Sequence, residues 1–198
     1  MFIHRLDDRR WLRPAEEDDA EELYARVAAN REILAEWMTW APGATVDSIR
    51  EFIRSSRRQL ADNDGFQAVI VQDGRIVGMI GFPRVSWSDR SCEIGYWIAR
   101  EAQGHGTVTL AARALTDHAL GDWKLNRVEI RAGVGNVRSR AVAERLGFTL
   151  EGVLRQAERH GDNRYVDLAV YSMLASEWTP SADFGTAAAT VSGGRERG

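Results

Sequence analysis

The chain has 198 residues, 44% of them apolar and 28% charged, a globular composition that excludes a coiled coil, a collagen-like fibre and a chain disordered throughout. The 26 basic and 29 acidic residues leave a formal charge of −3, without the basic excess of a general nucleic-acid binder. One cysteine, Cys92, excludes an internal disulfide framework and a cysteine-cluster metal site, and no apolar run approaches the ~18 residues of a membrane span.

Residues 1–10 are charged and lack the apolar core of a signal peptide, so a cytoplasmic location is the expectation. Residues 1–12 read as short extended pieces joined at Asp7-Asp8. Pro14 and the acids of 16–19 announce a helix, because acids complement the positive end of the helix dipole. Leu23, Val27, Leu34 and Trp37 carry its apolar face to about Met38, and Trp40-Ala41-Pro42-Gly43 breaks it. Thr45 is placed to cap a second helix with Ile49, Phe52, Ile53 and Leu60 on one side. Its other side, Arg50, Arg54, Arg57 and Arg58, is basic and expected to meet solvent.

The pattern then turns to strands. Residues 66–72 and 75–82 flank Asp73-Gly74, a hairpin signal. Residues 91–98 follow, with Cys92, Ile94, Tyr96 and Ile98 on one face. Gln103-Gly104-His105-Gly106 opens a helix whose Val108, Ala112, Leu115 and Ala119 share a side, and Gly121 ends it. Residues 127–132 alternate with Val128, Ile130 and Ala132 inward, and Asn136 caps a short helix that stops at Gly147. Residues 148–154 and 164–174 read as the last two strands. The composition after Trp178 cannot form a packed element, which predicts one domain over 1–178 and a mobile tail over 179–198. The whole is an α+β architecture.

The glycine turn is the most informative segment. A strand that runs into a glycine-bearing turn and opens a helix offers unpaired N–H groups at the positive end of the helix dipole, a natural cradle for a pyrophosphate. A Walker loop needs a lysine after the second glycine and a dinucleotide fingerprint a third glycine; His105, Thr107 and Thr109 rule out both. A plain tight turn fits the same residues.

Several blocks occur together: Glu93-Ile94-Gly95-Tyr96-Trp97, Gln103-Gly104-x-Gly106, Asn136-x-x-Ser139, Arg145-Leu146-Gly147-Phe148 and Glu151-Gly152-x-Leu154-x-Gln156-Ala157-Glu158. With this set, residues 8–176 resemble the GNAT superfamily of acyl-CoA-dependent N-acyltransferases, and within it the Rim group of ribosomal-protein N-terminal acetyltransferases. The resemblance implies a central, mostly antiparallel mixed sheet flanked by helices, in which two parallel strands, 91–98 and 127–132, splay apart. It implies that acetyl-CoA lies in that wedge against the backbone of Trp97, Ile98 and Ala99. The pyrophosphate would then sit on Gln103, Gly104, His105, Gly106 and Thr107, and Asn136 would hold the cofactor arm.

The same resemblance assigns Glu158 as general base and Ser139 as general acid, and calls for no metal. Where many of its members carry an acidic tyrosine, this chain has Ala143. Unaided, Ser139 is a common third residue after an Asn cap and Glu158 a carboxylate in a polar run. An α-amine titrates near 7.7–8.0 and a lysine near 10.4, so a base works more easily on a protein N-terminus. The expected acceptor is therefore a ribosomal or other protein N-terminus, with neither nucleic acid nor membrane as partner and with a homodimer as family habit. A small amine (polyamine, amino acid or aminoglycoside), a succinyl donor, and a non-catalytic acyl-CoA-binding module stay open. Glu93, Trp37 and Trp40 are further candidates near the wedge, and Cys92 is expected in the core.

Overall fold

A computed structural model describes residues 4–160 and 163–180. It opens with two short antiparallel strands, β1 (His4–Arg5) and β2 (Arg10–Pro14). Asp19 then does two jobs while nearly buried. It accepts the Glu16 N–H at 2.8 Å, which starts the helical turn, and it holds Arg13 through two 2.7 Å bonds.

The single helix expected out to Met38 is two, α1 (Ala20–Ala29) and α2 (Arg31–Ala35). Asn30 separates them for a physical reason. Its Nδ2 donates to the Arg26 carbonyl at 2.9 Å, and its Oδ1 accepts from the Arg100 N–H at 2.8 Å, so the side chain ties the helix end to the turn that follows the 91–98 strand. Helix α3 (Val46–Ala61) starts as expected: the Ser48 N–H donates to Thr45 Oγ1 at 3.1 Å and the Thr45 N–H to Ser48 Oγ at 2.9 Å. Ile49 and Ile53 are buried, but Phe52 is 46% exposed and belongs to a cavity rim instead. The basic face meets the chain's own acids, Arg50 with Glu21 at 2.5 Å and Arg54 with Glu17 at 2.9 Å.

Strands β3 (Phe66–Gln72) and β4 (Arg75–Ser86) form the hairpin, and β5 (Ser91–Ile98) returns antiparallel to β4. Helix α4 (Thr107–Asp117) crosses over and runs into a π-helical turn before β6 (Arg127–Gly133). Helix α5 (Val137–Arg145), β7 (Thr149–Arg159) and β8 (Tyr165–Leu174) complete one eight-stranded sheet in the order β1-β2-β3-β4-β5-β6-β8-β7. Every pairing is antiparallel except β5 with β6. One face packs Ile80, Ile94, Val128, Ile130 and Tyr171 under Leu115 of α4 and Val142 of α5. The other packs Val69, Met79 and Trp97 against Leu23, Val27 and Ile53 of α1 and α3. Among the described residues no helix is long and apolar enough to cross a membrane. The tail expected over 179–198 lies outside the described residues from 181 onward.

Candidate active site

The parallel pair β5–β6 is joined only at its start, Ser91 with Arg127, Cys92 with Val128 and Glu93 with Glu129. Beyond Glu93 the strands separate, while β5 stays paired to β4 as far as Ile98. Main-chain groups of a central strand alternate between its two neighbours. The Ala99 N–H already donates to the Val77 carbonyl at 2.8 Å. By that alternation Trp97 also faces β4, and Tyr96 and Ile98 face the open wedge. Of the three residues expected to offer backbone there, Ile98 is the one so turned; the Ala99 N–H is committed elsewhere.

A cavity of about 830 Å³ runs through this gap. Its wall carries Glu93, Gly95 and Trp97 from one face of β5 and Ile94 and Tyr96 from the other. Trp37, Trp40 and Phe52 wall it from the α1–α3 side. Asn136, Ser139 and Glu158 line it as well, so residues distant in sequence share one space. Trp40 meets Trp97 edge to face at 6.2 Å between centroids. Gly133 accommodates Trp37: a Cβ there would lie 2.7 Å from the indole.

The glycine turn follows β5 and lies outside the residues that line the cavity. Gly104 and Gly106 take φ of +83° and +71°, the left-handed region where a side chain is strained. Among the described residues none accepts from the N–H of Gly104, His105 or Gly106. The turn is pinned from behind. Arg10 donates at 3.0 Å to both the His105 carbonyl and Thr107 Oγ1, and Arg138 donates to Gln103 Oε1 at 2.5 Å. Exposed, unpaired donors at the start of α4 fit an anionic group, as the pyrophosphate expectation requires. Asn136 spends its Oδ1 on capping α5 at the Ser139 N–H, 3.1 Å, and no described residue accepts from its Nδ2.

Ser139 has a partner that the sequence reading passed over. The Tyr96 hydroxyl lies 3.0 Å from Ser139 Oγ and 3.1 Å from the Ser139 carbonyl. Burial, opposed by the bond to Ser139, pushes the Tyr96 phenol up to about 12, so it keeps its proton at neutral pH. Alternation places Tyr96 on the α4–α5 face, but the sequence carries no signal that pairs it with Ser139. Glu158 is 40% exposed, and the buried His160 sets Nε2 3.7 Å from its Oε1. Glu93, the reserve candidate for the base, lies between Arg131 at 3.8 Å and Arg84 at 4.0 Å, as a paired structural acid would. The Cys92 thiol is raised to about 12 by burial and by Glu129 and Glu93, which leaves it inert as a nucleophile. No group of three or more His, Cys, Asp or Glu among the described residues is arranged to hold a metal.

Comparison with known proteins gives consistent matches. Residues 9–149 match the acetyltransferase (GNAT) domain family. YdaF of Bacillus subtilis (strain 168), provisionally named a ribosomal N-acetyltransferase, is 39% identical over 180 residues, 90% of this chain and 98% of that protein. The solved microcin self-immunity acetyltransferase MccE, in complex with acetyl-CoA and AMP, is similar with a TM-score of 0.81 at 30% identity, covering 85% of this chain and 94% of that chain. RimL, a ribosomal α-N-protein acetyltransferase solved in complex with coenzyme A, gives a TM-score of 0.83 at 25% identity, over 87% of this chain and 98% of that one.

Proposed function

The chain belongs to the GNAT acetyltransferase family, and from that premise we propose that it acetylates the α-amine at a protein N-terminus, ribosomal proteins being the class suggested by YdaF and RimL. One observation carries the reading: Glu158 and Ser139 line one cavity that passes through the β5–β6 wedge, so donor and acceptor can meet there directly.

Acetyl-CoA supplies the activated thioester. The N–H groups of Gly104, His105 and Gly106 hold its pyrophosphate, the Gln103 N–H being committed to the Arg100 carbonyl at 3.2 Å, and Asn136 Nδ2 is free to hold its arm. Glu158 takes the proton of the attacking amine. That task is light for an α-amine, which is already partly neutral near pH 8. The Ile98 N–H, turned to the wedge, is placed to polarise the carbonyl. Ser139 gives its proton to the departing sulfur. The Tyr96 hydroxyl, protonated and 3.0 Å away, keeps its proton and supports the Ser139 oxygen by hydrogen bonding, while solvent in the cavity returns to Ser139 the proton it gave up as Glu158 releases the one it took. Transfer is direct, since Cys92 is buried and protonated. The site is expected to work in the cytoplasm, and self-association is proposed on the family habit alone.

Release of free CoA from acetyl-CoA tests this against a panel: peptides with free and with formylated N-termini, spermidine, free amino acids and an aminoglycoside. The expected result is release with free-amine peptides only. Release with a small amine alone would overturn the acceptor, and binding without release to any amine would make the chain a non-catalytic module.

A further inference from the structure

Strands β7 and β8 do not pair evenly. Leu154 lies opposite Leu168 and Glu158 opposite Val166, so four residues of β7 are spanned by two of β8. The excess forms a bulge centred on Gln156, which takes φ +51°. With even pairing, Gln156 would occupy the place opposite Val166. Glu158 would then sit two residues, about 7 Å, further along the sheet and away from the cavity. The bulge keeps the side-chain parity and draws the carboxylate back.

Asp167 holds this bulge. It is the β8 residue between Leu168 and Val166, and its Oδ1 accepts the Gln156 N–H at 2.7 Å. That bond anchors the residue in the left-handed region, which a side chain disfavours. The Asp167 carbonyl accepts from the Val134 N–H at 2.9 Å, two residues before Asn136, whose side chain caps the helix bearing Ser139. One residue therefore ties the strand of Glu158 and the loop of Ser139 to the same point of β8.

We propose that Asp167 is a positioning residue for acetyl transfer: its carboxylate fixes the Gln156 bulge that sets Glu158 in the cavity, in register with Ser139. The inference rests on the reading of Glu158 as the base.

The test uses the full chain with acetyl-CoA and a synthetic peptide bearing a free α-amine. Asp167→Ala is expected to lower kcat roughly 10–10²-fold, the scale of a small misplacement of a reacting group, with KM for acetyl-CoA unchanged. Asp167→Asn keeps an acceptor oxygen and should stay within about threefold of wild type. Added to Glu158→Gln, Asp167→Ala should cost nothing more, because it acts through a group already disabled. Amide exchange should show the Gln156 N–H protected in wild type and in Asp167→Asn, and unprotected in Asp167→Ala. An unchanged kcat in Asp167→Ala, a loss that multiplies with that of Glu158→Gln, or an unaltered Gln156 amide would each overturn the inference. A wild type inactive toward every amine would instead overturn the function on which it rests.

Discussion

The glycine turn after β5 and the bulge in β7 reach the same rare backbone region by opposite means. The turn uses glycine at +83° and +71°, where positive φ carries no Cβ penalty. The bulge uses Gln156 at +51° and offsets the strain with a hydrogen bond from another strand. The turn is a local device written in consecutive residues. The bulge exists only when β7 and β8 meet in the right register. On the proposed reading, donor binding is written into a local turn, whereas placement of the base depends on long-range pairing.

The largest expected effect probes the bulged strand. Glu158→Gln keeps the shape and removes the basicity, so kcat at neutral pH should fall by about 10²–10⁴ while acetyl-CoA binding stays intact. An equal loss of binding would erase the distinction between the two regions.

Next comes the glycine turn. Acetyl-CoA at ~100 times its Kd should stabilise the protein by roughly 2.7 kcal/mol in thermal or denaturant melts. Gly104→Val, at φ +83°, should remove that gain while leaving the α1–α3 face folded. Persistence of the gain in Gly104→Val would place the donor elsewhere.

A pH effect comes third. Cys92 and Tyr96 hold their protons to about 12 in the folded chain, against ordinary values of 9.0 and 10.0. Between those limits the unfolded chain has lost protons that the folded chain retains, so stability is full below pH 9 and falls as pH rises, by on the order of 4 kcal/mol at pH 11. Urea titrations at pH 8 and pH 11 measure it, and Cys92→Ala with Tyr96→Phe should flatten the difference. Both groups lie on the α4 side of β5.

The smallest effect returns to the bulge. Gln156→Gly relieves the strain but frees the unfolded chain, so stability should change by less than about 1 kcal/mol. A loss of several kcal/mol would show that the Gln156 side chain, and not its backbone, holds the bulge.

What could be read from sequence divides along the same line. The alternation of Cys92, Ile94 and Tyr96 marks β5 to the residue, the glycines mark the turn, and Asn136 marks its cap, because each signal is local. The blocks that resemble the GNAT superfamily also placed Ser139 and Glu158, which the fold brings to one cavity. Three features were hidden. Asn30 divides the first helix through a bond to Arg100, 70 residues away. Tyr96 meets Ser139 across 43 residues. β7 runs on to Arg159 because pairing resumes after the bulge, which no hydrophobic period announces.

The central claim is that Glu158 acts as base on an α-amine in the wedge cavity. The pH–rate profile of Glu158→Gln, with acetyl-CoA and a peptide carrying a free N-terminus, tests it most directly. Without the base, turnover depends on amine that is already neutral, so the account predicts a rate that climbs with pH and levels off just above pH 8. Wild-type turnover at neutral pH, or recovery only near pH 10 as a lysine-type amine would give, would contradict it.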